Sequence, residues 1–154
     1  MYRRLQSNYG KTKNAMFVAG EAMTKGMLVV KDVTDGTVNL PASAVGTNVY
    51  IVDFEPEPTL ETSVKRNISD YADVANDIDA GVNVSLELLE VGESYSTDQF
   101  TATDIVAGSY LEVGTDGLLA KKATGTSPIV AINPEATDAG HTVLTYTITE
   151  NPYA

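Results

Sequence analysis

The 154-residue chain contains no cysteine, which excludes disulfides, thiolate nucleophiles and Cys-ligated zinc. Histidine occurs once, as His141. A multi-His metal centre is therefore impossible, and any Ser–His device has a single candidate. Tryptophan is absent and phenylalanine occurs three times, so a sugar-stacking platform would have to rely on tyrosine. No apolar run approaches the ~18 residues of a membrane-spanning helix. Met1-Tyr2-Arg3-Arg4 imitates the start of an export signal. The apolar stretch behind it, Ala15 to Gly20, is shorter than the ~7–15 residues such a signal uses. The expectation is a protein made in the cytoplasm and kept or assembled there. Basic residues are also scarce. Ten Lys+Arg stand against 21 Asp+Glu, for a net charge of −11, which argues against a general nucleic-acid binder. No Gly-x-Ser-x-Gly elbow marks a serine, and no glycine-rich phosphate loop leads into a helix. The chain reads as a non-enzyme without a cofactor.

What is present points to strands. Eighteen threonines and 17 valines are β-branched and favour extended backbone, and 43% hydrophobic residues suffice for a core at this length. Met27-Leu28-Val29-Val30 runs to a hairpin signal, Asp35-Gly36, and Thr37 to Leu40 follows as its partner. Asn48 to Phe54 is a further strand, stopped by Glu55-Pro56-Glu57-Pro58. Val82, Val84, Leu86 and Leu88 alternate with polar residues, as do Leu144, Tyr146 and Ile148, the period of half-buried strands. Ser94 to Phe100 is a weaker strand, and Ser109 to Val113 turns at Asp116-Gly117 into Leu118 to Lys121. Pro128 to Ile132 is another, broken by Asn133-Pro134. Eight or nine short strands predict an all-β domain, a single small β-barrel or β-sandwich with little helix. Leu86, Leu111, Val113, Leu144, Tyr146 and Ile148 are the expected core. Asp-Ala-Gly recurs at 79–81 and 138–140, with Ala107-Gly108 as a partial third copy, and each glycine is expected to supply a bulge or a positive-φ turn.

Charge divides the chain. Arg3, Arg4, Lys11 and Lys13 give residues 1–13 a charge of +4 with no acid, which leaves −15 on the remaining 141 residues. Residues 1–18 are read as a basic arm and 19–154 as the β domain, with a long acidic loop over about 55–80. A short helix around Asp70 to Ala75 is the alternative within that loop. The plain reading of the arm is a frayed end. The other is an interaction tail for an acidic surface, with Tyr2, Arg3, Arg4, Tyr9, Lys11 and Lys13 as contacts; it predicts that removing residues 1–13 leaves thermal stability nearly unchanged. The acids Asp70, Asp73, Asp77 and Asp79 suggest calcium, but no EF-hand frame fits. Starting at Asp77 puts Leu88 where the bidentate Glu belongs. A solvated acidic loop is preferred, with no metal site.

The order of segments carries a resemblance. A basic arm leads into Gly20-Glu21…Lys25-Gly26-Met27-Leu28-Val29; beyond the acidic loop come Gly81-Val82-Asn83-Val84 and Gly92-Glu93-Ser94-Tyr95-Ser96-Thr97-Asp98-Gln99-Phe100. Then follow Ala107 to Val113, Asp116-Gly117-Leu118 and a Thr-rich last strand. Over roughly residues 20–149 this pattern resembles the small β-barrel head-decoration (cement) proteins of tailed bacteriophages. The resemblance implies a structural virion protein on the outer surface of a capsid, made in the host cytoplasm. Its implied partner is the major capsid protein, bound as a homo-oligomer (trimer or dimer), with neither nucleic acid nor membrane involved and no catalytic residues. A non-catalytic β-sandwich module that binds carbohydrate or peptide within a larger assembly is the competing class.

Overall fold

The computed structural model describes residues 2–6, 13–53 and 76–154, and every element among them is a strand. In chain order these are β1 (Tyr2–Gln6), β2 (Lys13–Ala19), β3 (Met23–Thr24), β4 (Leu28–Asp32), β5 (Thr37–Asn39), β6 (Val49–Asp53) and β7 (Asp77–Ile78). Then follow β8 (Asn83–Glu87), β9 (Ser94–Thr97), β10 (Leu111–Val113), β11 (Leu119–Lys121), β12 (Ile129–Asp138) and β13 (His141–Ile148). The fold is all-β. Strands β2-β5-β4-β6-β8 close into a barrel, and a four-stranded sheet has the order β1-β9-β13-β12. The pairs β10–β11 and β3–β7 complete it.

Two cores share one wall. Val29, Val52, Val84 and Leu86 fill the barrel together with Ala19, Met23, Val38 and Ile78. Leu28, Val49 and Ile51 point the other way, against Tyr95, Leu144, Tyr146 and Ile148 of the sheet and Leu111, Val113 and Leu119 of the β10–β11 pair. Successive strand residues face opposite sides, so a strand buried on both faces must be apolar without interruption. That is why Leu28-Val29-Val30 and Val49 to Val52 read as continuous apolar runs. All six expected core residues are buried.

Turn chemistry follows the sequence. Gly36 and Gly117 adopt φ of 69° and 75° in the two Asp-Gly hairpins. The second hairpin seats its turn on the start of the first, since Leu28 N–H donates to Gly117 O at 3.2 Å. A Cβ at position 117 would stand 2.8 Å from Leu40 Cδ2, so close approach and backbone geometry both require glycine there. The recurrent Asp-Ala-Gly turns likewise place Gly81 and Gly140 at positive φ.

Several expectations are corrected. Lys13–Ala19 is strand β2, held between β5 and β8. Pro134 does not break its strand. β12 runs through it to Asp138 with register shifts between Ala131 and Ala136, because β12 is the outermost strand of its sheet, where a missing N–H is tolerated. Glu87, placed on the polar face of β8, is fully buried, since that end of the strand is enclosed by the sheet as well as by the barrel. Of the acidic loop over about 55–80, residues 55–75, with the Asp70–Ala75 helix alternative, lie outside the described residues. Its last part is not loop, because Asp77–Ile78 pairs with Met23–Thr24.

Candidate docking interface

The six candidate contact residues fall in three places. Tyr2, Arg3 and Arg4 lie on β1, which pairs antiparallel with β9 in the register Tyr2↔Thr97, Arg3↔Ser96, Arg4↔Tyr95. The segment Tyr-Arg-Arg-Leu-Gln has no period of its own, and β9 offers it a ladder of main-chain partners. Among the described residues β1 is an edge strand of the sheet. Lys13 opens β2 with Glu87 as its register partner, at the barrel. Tyr9 and Lys11 lie outside the described residues. The fold thus puts Tyr2, Arg3 and Arg4 together on one edge and Lys13 elsewhere.

Most described bases of the acidic body are engaged internally. Lys25 Nζ lies 3.1 Å from Asp53 Oδ1, and Lys122 Nζ lies 3.1 Å from Glu112 Oε2. Lys31 Nζ sits 3.9 Å from the centroid of the Tyr50 ring and 5.2 Å from that of Phe17, a cation–π arrangement, and burial lowers its pKa. Lys121 is exposed. Arg3 and Arg4 are consecutive on β1, in a chain of charge −11.

A second feature is a groove of about 450 Å³ lined by Leu88 to Val91 and Asn151 to Tyr153. Tyr153 closes its floor. Its hydroxyl donates to Val49 O at 3.1 Å and accepts from Leu89 N–H at 2.8 Å, and its ring stacks on Tyr50 with centroids 5.0 Å apart. Beneath it Tyr95 stacks on Tyr146 at 5.4 Å and donates to Glu93 Oε2 at 3.0 Å. Burial holds the phenols of Tyr146 and Tyr153 well above the ordinary tyrosine range, with neighbouring Tyr95 adding to both.

His141 is exposed beside the β12–β13 turn, in register with Asp138. Among the described residues no group of three His, Cys, Asp or Glu is placed to hold a metal ion. The sequence reading missed one surface. Tyr110 and Ile132 are 41% and 45% exposed and Val106 is 61% exposed, and the fold draws their two segments together. The available signal was that Ile105 to Leu111 and Pro128 to Asn133 carry no charge in a strongly acidic chain. No protein family matches this sequence, and no curated protein matches it.

Proposed function

We propose that this chain is a structural virion protein that decorates and stabilises a bacteriophage capsid, binding the outer surface of the major capsid protein. The carrying observation is β1, a basic edge strand on an acidic β body. Edge strands recruit partners through main-chain hydrogen bonds, and flanking side chains supply selectivity. Arg3 and Arg4 supply it for a carboxylate-bearing surface. A barrel and sheet that share one buried wall make a stiff body, which suits a clamp across neighbouring subunits. The segment order seen in head-decoration proteins supports the same reading, and a body of negative charge is repelled by packaged DNA and so favours the outside of the shell.

Co-sedimentation of the purified protein with capsids that lack it tests the proposal. The wild-type chain is expected to pellet with the shell. The Arg3→Glu, Arg4→Glu double variant should bind more weakly, and raised salt should mimic it, because exposed ion pairs are screened. Wild-type protein that stays in the supernatant at low salt overturns the proposal. Undiminished binding by the charge-reversed variant would remove β1 from the interface.

A further inference from the structure

The dipeptide Asp-Gly occurs twice, at 35–36 and at 116–117, and the fold treats the two copies differently. At the second, both the carboxyl and the following amide are held. Asp116 Oδ1 accepts from Leu118 N–H at 3.1 Å, and Gly117 N–H donates to Gly114 O at 3.0 Å. Gly117 O accepts from Leu28 N–H at 3.2 Å, and the side chains of Leu40 and Met27 close over the residue. At the first copy Asp32 caps the turn instead, its Oδ1 accepting from Thr34 N–H at 2.9 Å and from Asp35 N–H at 3.3 Å. Among the described residues the Asp35 carboxylate accepts no hydrogen bond and Gly36 N–H donates none. Asp35 is exposed at the hairpin tip beside Val33, itself 80% exposed. Nothing beyond the adjacent residues lies within 4 Å of where a Gly36 Cβ would stand.

An aspartyl side chain can bring its Cγ to the following main-chain nitrogen, and a glycine there, without a Cβ, leaves that nitrogen unshielded. We propose that Asp35-Gly36 is a site of spontaneous covalent modification, where aspartyl converts to isoaspartyl while Asp116 stays protected. The Gly36 nitrogen gives up its proton and attacks Asp35 Cγ; the N–Cγ bond forms and a carboxyl oxygen departs as water. The product is a five-membered cyclic imide. Water then adds at either imide carbonyl. Breaking the bond from nitrogen to Cγ restores aspartate, whereas breaking the bond to the main-chain carbonyl carbon leaves the chain running through Cβ and Cγ. One water is lost and one is gained, with no oxidant or cofactor. The attack needs side chain and main chain to rotate together, which an open loop tip permits and a packed turn does not. The isoaspartyl residue carries a free α-carboxylate, the group that protein-isoaspartate methyltransferases esterify, so the modified tip is a substrate for that enzyme class. The change also falls at the barrel seam. Strand β2 meets β5 through Val18↔Thr37 and Ala19↔Val38, and Val18 N–H donates to Gly36 O at 3.2 Å. One extra main-chain atom ahead of Gly36 displaces that carbonyl and loosens the closure.

Prolonged incubation of the full chain at neutral pH, folded and in urea, tests the site without reference to any capsid. Peptide mapping and labelling by an isoaspartyl methyltransferase read the product. Folded protein is expected to gain isoaspartate at position 35 about tenfold faster than at position 116. In urea, where both turns are lost, the two positions should convert at similar rates. Asp35→Glu, whose longer side chain would have to close a six-membered ring, should leave this hairpin of the folded chain unlabelled. Circular dichroism checks that the variant is folded. Converted wild-type chain should melt about 2–4 °C lower, the effect of one lost hydrogen bond at this chain length, and incubated Asp35→Glu should not. Absence of isoaspartate at position 35 in folded protein, after a time that converts it in urea, overturns the proposal. Equal conversion of positions 35 and 116 in the folded chain overturns it as well, and an unchanged melting temperature after conversion overturns the loosening of the seam.

Discussion

Tyr153 joins three parts of the molecule through one side chain. Its hydroxyl links β6 to the segment after β8, and its ring extends the stack that begins with Lys31 and Tyr50. Tyr153→Phe keeps the ring but leaves the Leu89 N–H and the Val49 carbonyl short of a partner. The expected cost is about 1–3 kcal/mol, read as a lower urea midpoint with an unchanged slope. The tyrosines also set a pH dependence. Tyr146 and Tyr153 are shifted upward in the folded state, chiefly by burial. Below about pH 10 neither state ionises them and their contribution is constant; above it the unfolded chain releases protons that the folded chain retains, so stability falls. Urea titrations at pH 9 and pH 11 should show that fall, and it should be smaller in Tyr153→Phe. None of this was legible beforehand, because a tyrosine between Pro152 and Ala154 has no period to announce its burial.

At the level of elements, β1 is the instructive case. Its residues show neither strand nor helix periodicity, and its backbone acquires regular structure from the β9 ladder. Tyr2–Gln6 is thus a sheet strand, and its removal uncovers one edge of β9. Deleting residues 1–6 is expected to cost about 1 kcal/mol, a fall of about 2–4 °C in melting temperature for a chain of this size, in place of the unchanged stability that a free arm implies. Differential scanning calorimetry of the truncated chain checks it. The opposite case is β13, where Leu144, Tyr146 and Ile148 alternate so plainly that strand and facing are both readable. β12 lies between the two. Its first half was visible, but its continuation past Pro134 depended on its being an edge strand, a property of the sheet order that local sequence does not encode.

For the whole molecule, the shared wall of β4 and β6 couples the barrel to the sheet. Leu86 belongs to the barrel core and Ile148 to the core between barrel and sheet, yet the two cores cannot separate without exposing Leu28, Val29, Ile51 and Val52 together. Leu86→Ala and Ile148→Ala should each cost roughly 2–5 kcal/mol and lower one common transition, seen at the same midpoint by calorimetry and near-ultraviolet circular dichroism. Two separated transitions would show independent cores. The all-β class, the Asp-Gly turns and the buried side of the alternating strands were determined by the sequence alone. They rest on period, β-branching and glycine φ, which act within a few residues. Tertiary structure decided the barrel closure by β2, the burial of Glu87, the place of β1 and the bridge of Tyr110 to Val130. Each depends on which strands become neighbours across tens of residues, and main-chain hydrogen bonding, the same for every residue except proline, leaves no mark of that choice in the side chains.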